Sequence, residues 1–71
     1  MKREAVDSSG IQTVGYDSLK KILEVEFINN SVYRYHHVPE RVYYQLMHAV
    51  SIGTFFNEKI RDAGYDFEKL K

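Results

Sequence analysis

The chain has no cysteine and a single proline among its 71 residues. Without cysteine there is neither a disulfide framework nor a thiolate zinc site. That composition suits a reducing cytoplasm, where the protein is expected to work. Glycine occurs at positions 10, 15, 53 and 64 only, too scattered to form a phosphate-cradling loop. No stretch approaches the roughly 18 apolar residues that a bilayer span needs. The opening Met1-Lys2-Arg3-Glu4-Ala5-Val6-Asp7 has no apolar run behind its basic residues, so neither a membrane span nor a signal peptide is expected. An excess of one charge is also missing, because ten Lys and Arg balance ten Asp and Glu. Dedicated nucleic-acid binders show a basic excess or stripe, and composition shows neither here. Repeats, low-complexity segments and linkers are absent as well. A chain this short forms one domain with a small core, to which self-association as a homodimer would add stability.

The first half carries strand patterns. Ile11 to Tyr16 is a short run with Ile11, Thr13, Val14 and Tyr16, followed by the turn signal Asp17-Ser18. From Lys21 to Ile28, Leu23, Val25 and Phe27 alternate with Glu24 and Glu26, the period of a half-buried strand. Asn29-Asn30-Ser31 reads as a tight turn, and Val32 to Val38 as a third strand. A three-residue loop at 29–31 sets Phe27 opposite Tyr33, Glu26 opposite Arg34 and Val25 opposite Tyr35. That register keeps the apolar side chains on one face and makes a cross-strand Glu26–Arg34 pair. A two-residue loop would mix apolar and charged residues on both faces.

The second half carries helical patterns. Val38-Pro39-Glu40 reads as a helix start. Val42, Leu46, Ala49 and Val50 recur at helical spacing, flanked by Tyr43 and Met47. Ser51 reads as the cap of a second helix, Ile52 to about Ala63, carrying Phe55, Phe56 and Ile60. Gly64 is its stop. The expected fold is α+β: a three-stranded antiparallel β-meander followed by two α-helices packed on one sheet face. The single domain spans 1–71, with its core about 6–63 and a tail, 64–71, that holds one more turn or frays.

These residues, taken in order, resemble the KTSC family, named for a C-terminal domain of some bacterial lysyl-tRNA synthetases and also found as a small free-standing bacterial protein. The resemblance rests on Ser8-Ser9, Val14-Gly15-Tyr16-Asp17, Leu23-x-Val25-x-Phe27, the central Tyr33-x-Tyr35, Val38-Pro39, Ala49-x-Ser51-x-Gly53, Phe56-Asn57 and Ile60-Arg61. Asn30-Ser31 stands where the family commonly has glycine. The resemblance implies the fold and, through the synthetase context, RNA association. It implies no activity and no cofactor.

Tyr33-Arg34-Tyr35 invites comparison with base-stacking sheets, but in the expected register both tyrosines share the buried face with Leu23, Val25 and Phe27. Arg34 lies on the polar face with Glu24, Glu26 and His36. His36 and His37 are adjacent in a strand and diverge, and His48 has no ligand partner at helical spacing, so no metal site is expected. Ser8, Ser9 and Ser51 belong to no nucleophile pattern, and an enzyme is not expected. Ser9, Tyr16, Tyr33, Tyr35, Pro39, Ser51 and Gly53 are read as structural family positions. Asn57 and Arg61, one helical turn apart, are expected to join Ser9 and Tyr16 in a polar cluster tying the chain start to the second helix. The alternative is that Arg61, with Asn57, Lys59 and Lys21, contacts a phosphate or an acidic partner. The chain therefore reads as a noncatalytic interaction module whose partner is RNA, a tRNA-associated protein or another protein. The competing reading is a self-associating domain whose dimer contact uses Tyr43, Tyr44, Met47 and Phe55.

Overall fold

The alternation in Leu23-Glu24-Val25-Glu26-Phe27 builds the centre of the sheet. In the computed structural model, which describes residues 1–71, this segment is strand β3 (Ile22–Phe27), with Leu23 and Val25 fully buried. It is flanked by β2 (Ile11–Asp17) and β4 (Val32–Tyr35). Two short strands, β1 (Arg3–Ala5) and β5 (Phe67–Lys69), extend the sheet to five antiparallel strands in sequence order. The helices are α1 (Glu40–Met47) and α2 (Ile52–Lys59), followed by a single 3₁₀ turn, Arg61–Ala63. No helix is long and apolar enough to cross a membrane.

The core lies between one sheet face and the helices. Ile11, Val14, Leu23, Val25 and Tyr35 meet Val38, Leu46, Phe56 and Ile60 in a cluster of nine buried residues. A β-bulge admits Ile11 to this face. Ile11 pairs with Phe27 and Thr13 with Glu26, so Gln12 is the extra residue. The bulge changes side-chain parity, and both Ile11 and Val14 point inward although they are an odd number of residues apart.

The structure corrects five expectations. The sheet has five strands, not three. Arg3–Ala5 and Phe67–Lys69 are three residues each and mostly exposed, so neither carries enough alternation to announce a strand. The tail neither adds a helical turn nor frays, because Phe67–Lys69 pairs with β4. Helix α2 ends at Lys59, where Ile60 leaves helical geometry at φ −123°. Helix α1 ends at Met47, so Val50 is fully exposed and the inward stripe is Val42, Tyr43, Leu46 and Met47.

The fifth correction is the β3–β4 register. The loop holds three residues but begins one earlier, at Ile28-Asn29-Asn30. The Phe27 N–H donates to the Ser31 carbonyl, and Asn30 N–H donates back to Phe27. Asn30 adopts φ 70°, the left-handed position that closes a three-residue hairpin, and the conformation explains why glycine suits this site. Moving the loop by one residue shifts the pairing by two. Leu23 faces Tyr35, Glu24 faces Arg34, Val25 faces Tyr33 and Glu26 faces Val32. The apolar face survives, because a shift of two preserves parity. The charge pair moves from Glu26 to Glu24.

Glu24 is 7% exposed and stands between two arginines. Its Oε1 accepts from Arg34 Nη2 at 2.9 Å and Nε at 3.2 Å, and its Oε2 accepts from Arg3 Nη1 at 2.8 Å. Between Arg3 and Glu24 in the cross-strand row is Gly15. A Cβ there would lie 2.8 Å from Arg3 Cγ and 3.0 Å from the Lys2 carbonyl oxygen. The missing side chain is what lets Arg3 reach over β2. The row continues to Glu68 on β5, which accepts from His36 Nε2 at 2.8 Å. Glu26 instead accepts from Thr13 Oγ1 at 3.0 Å.

The link from β4 to α1 is clamped twice. Val38 N–H donates to the Lys21 carbonyl at 2.9 Å, and the Tyr16 hydroxyl donates to the Val38 carbonyl at 2.6 Å. Tyr16 also stacks on Tyr43, with ring centroids 4.7 Å apart. Ser51 caps α2, accepting from Thr54 N–H. Pro39 occupies the N-cap of α1, with Glu40 in the first turn opposite the positive end of the dipole.

Four measurable consequences follow from this packing. Glu24→Ala should cost about 2–4 kcal/mol in urea unfolding, less than a fully buried pair because the arginines can hydrate. Glu26→Ala should cost under about 1 kcal/mol. Gly15→Ala should cost about 1–3 kcal/mol by pushing β1 away from β2, seen as lost amide protection at Arg3 to Ala5. Burial raises the hydroxyl pKa of Tyr16, Tyr35 and Tyr43, with Glu40 adding to the rise at Tyr16. The unfolded chain therefore ionises first. The stability these three contribute should be intact below pH about 10 and lost as pH rises beyond it. Absorbance at 295 nm should show a late-titrating group of tyrosines whose ionisation coincides with alkaline unfolding.

Candidate functional site

The helices do not cover the whole apolar face. Cross-strand pairing sets Tyr33 beside Val25 and Lys69, and Tyr35 beside Leu23 and Phe67. Phe56 of α2 closes over Phe27 and Tyr35, edge to face, with centroids 5.5 Å from each. Beyond Phe56 the cover stops. Tyr33 is half-buried and Phe67 is 60% exposed. The result is a groove of about 400 Å³ floored by Phe27, Tyr33, Tyr35, Phe56 and Phe67. Its polar rim is Asn29 and Ser31 from the β3–β4 turn, Asn57 from α2, and Arg61 from the 3₁₀ turn.

Arg61 is the one charged residue in this lining, and no acid or histidine joins it. Its Nε donates to Asp62 Oδ1 at 3.2 Å, an exposed contact, and its terminal nitrogens make no hydrogen bond. Burial is the main cause of the raised Tyr35 pKa, Tyr33 adds to it, and Arg61 pulls against both. The hydroxyl therefore stays protonated at neutral pH beside a fixed positive charge. Tyr33, Tyr35 and Phe67 lean on one another, with centroids 5.5–6.4 Å apart. Their planes are inclined at 24–40° to one another, unlike a flat platform waiting for bases. The groove offers apolar contact, amide and hydroxyl hydrogen bonds, and one cation.

Of the residues singled out from sequence, the structure brings Asn57 and Arg61 together here with Tyr33 and Tyr35. Lys59 lies elsewhere, in a broad depression between α1 and α2 with Arg41, Gln45 and Glu58. Lys21, at φ 58°, sits in the β2–β3 turn, at the opposite end of β3 from the groove. The expected polar cluster of Ser9, Tyr16, Asn57 and Arg61 does not form. Tyr16 is committed to Val38, Arg61 bonds its neighbour Asp62, and the Asn57 side chain makes no hydrogen bond. It is Ser8, not Ser9, that bonds the chain start, accepting from Gly10 and Ile11 N–H. Ser9 and Gly53 border a polar depression at the start of α2. An added Cβ at Gly53 would meet Ser8 Oγ at 3.7 Å, an ordinary contact, so close packing does not account for this glycine. Tyr33 and Tyr35 were both expected in the core. Tyr35 is there at 4% exposure, but Tyr33 lines the groove. Of the expected dimer patch, Tyr43, Met47 and Phe55 pack against the core and Tyr44 alone is exposed.

Sequence reasoning missed Phe67. Its signal is the alternation of Tyr65 and Phe67 with Asp66 and Glu68, only two periods long and placed after a helix stop.

The KTSC domain family matches residues 7–68. An uncharacterized protein of Stutzerimonas stutzeri (strain A1501) is 40% identical over 70 residues, covering 99% of each chain. A protein of Tsukamurella paurometabola is 39% identical over 54 residues, 76% of this chain and 81% of that one. The crystal structure of a KTSC domain protein from Yersinia pestis superposes with a TM-score of 0.92 at 37% identity, covering 99% of this chain and 97% of that one. Sequence match and superposition agree over nearly the whole chain, which belongs to the KTSC domain family.

Proposed function

We propose that this chain is a noncatalytic interaction module whose contact surface is the aromatic groove beside β5, and that its partner is a protein segment. The observation that supports this reading is the half-open cluster of Tyr33 and Phe67 next to Arg61 and Asn57, on a sheet face otherwise covered by helices. A contiguous aromatic surface rimmed by polar groups is the usual form of an interaction site. The groove's side chains supply adhesion and orientation. They include no pair of titratable groups suited to proton transfer near neutral pH.

Two observations weigh toward protein over RNA. Nucleic-acid affinity depends on several phosphate contacts, and the groove lining holds one cation. On the other sheet face, Arg3 and Arg34 are committed to Glu24.

Site-specific photocrosslinking in bacterial cells tests the reading. A benzophenone amino acid replacing Phe67 should give discrete protein adducts that disappear when Arg61→Ala is added. The same probe replacing Lys59 should not give them. Nuclease-sensitive adducts at position 67 would establish the RNA reading instead. Equal labelling from positions 67 and 59 would remove the groove as the contact surface.

A further inference from the structure

We infer that the groove recognises the C-terminus of a partner chain, with an apolar last side chain set against Tyr33 and Phe67, its carboxylate on Arg61, and the preceding residues added as a strand along β5. The inference rests on the reading above, that the groove is the contact surface, and names the chemistry of what occupies it.

Charge supplies the first argument. The lining carries one cation and no anion. The Arg61 guanidinium donates through Nε to Asp62 in an exposed pair at 3.2 Å and keeps both terminal nitrogens free, the edge that takes a carboxylate through two parallel hydrogen bonds. Asn57 stands beside it with an unused side-chain amide, and Asn29 uses only its Oδ1, accepting from Ser31 N–H. Donors therefore outnumber acceptors around the rim, as an anionic group requires.

Size supplies the second. About 400 Å³ is near the lower end of ligand pockets. It takes one large side chain with its terminal group, not the flank of a long helix.

The sheet edge supplies the third, and separates a chain terminus from a free acid. The strand order ends at β5. Phe67 and Lys69 are cross-strand partners of Tyr35 and Tyr33, and no backbone hydrogen bond ties β5 to anything on its outer side. Phe67 belongs both to this open edge and to the groove. An extended segment pairing with β5 would place alternate side chains on the groove's face of the sheet. Lys69, whose Nζ lies 6.0 Å from the Tyr33 ring centroid, adds positive charge along the same path.

Amide-resolved NMR titration of the whole chain tests this. The probes are acetyl-Gly-Ser-Gly-Ser-Val-Leu and acetyl-Gly-Ser-Gly-Ser-Val-Phe with free carboxylates, the same peptides amidated, and 3-phenylpropionate. The free-acid peptides should shift Arg61, Phe67 and Lys69. Amidation should weaken binding about tenfold, the worth of one charge-assisted contact. Arg61→Gln, an exposed substitution that should leave melting unchanged, should abolish the difference between acid and amide. Lys59→Gln should leave it intact. Equal binding of acid and amide at the groove would overturn the terminal-carboxylate assignment and leave the groove as an interaction surface. Binding of 3-phenylpropionate as tight as that of the peptides would assign the site to a small acid instead. No shift from any probe at millimolar concentration would also overturn the inference, whereas the crosslinks from position 67 report on the groove independently.

Discussion

The left-handed conformation of Asn30 sets the register on which the rest of the sheet depends. With Asn30 at φ 70° the hairpin closes between Phe27 and Ser31. Every pair along β3 and β4 then follows, because antiparallel pairing has no further freedom once the loop is chosen. A loop placed one residue later would set Tyr33 against Phe27 and Tyr35 against Val25. In the observed register Tyr35 lies beside Leu23 and under Phe56, while Tyr33 lies beside Val25 with Lys69 on its other side. One tyrosine of the Tyr33-x-Tyr35 pair is thus sealed and the other left at an opening. The same register brings Arg34 to Glu24, which also takes Arg3 from across Gly15.

The two sheet faces resolve their polar groups differently. On the helix-free face, charges are matched within the sheet: Glu24 with two arginines, Glu26 with Thr13, and Glu68 with His36. Such a carboxylate would be costly to bury if it were unpaired. Three donor contacts satisfy it, and no buried side-chain polar atom lacks a partner. On the helix-covered face the rim groups of the groove are not matched in this way. Asn57 and the terminal nitrogens of Arg61 face solvent without internal partners. The contrast locates free chemistry on the groove side.

What could be read from residues alone divides along physical lines. The alternation of Leu23, Val25 and Phe27 against Glu24 and Glu26 identified the central strand and its buried face, since period two is a local signal. Ser51 marked a helix start for a local reason as well, a side-chain acceptor, whereas Gly64, read as the stop of α2, closes the 3₁₀ turn beyond it at a left-handed φ of 88°. The hairpin register was not legible, because moving the loop by one residue preserves parity and hence the apolar face. Strands β1 and β5 were hidden because three residues carry too little pattern; their pairing comes from the neighbouring strands. Plain alternation would have set Ile11 and Val14 on opposite faces; the bulge at Gln12 brings both inward, and no local pattern announces it. Asn57 and Arg61 do line one groove, but from α2 and the following 3₁₀ turn and not from one helical turn, and they make no hydrogen bond with Ser9 or Tyr16. Their true surroundings include Phe67, on a strand that local pattern did not reveal.

That segment is what makes the groove. Arg61 and Phe67 are six positions apart and line the same cleft because the 3₁₀ turn and Gly64, in left-handed geometry, reverse the chain between them. Helical continuation through Ala63 would have carried the chain onward with no such reversal, and β4 would have been the sheet edge. Pairing β5 with β4 instead satisfies backbone groups of β4 and sets Phe67 against Tyr33 and Tyr35. Backbone pairing alone would be met as well by a polar residue at position 67, and a short edge strand ordinarily carries charge to discourage pairing with other chains. Here Glu68 and Lys69 are charged, while the residue turned toward the groove is a phenylalanine that stays 60% exposed. Burying that exposed ring surface against another apolar group would contribute favourably at about 25 cal/mol per Å². The fold leaves this contribution unused beside the free terminal nitrogens of Arg61, which is the physical basis for assigning the groove to a partner.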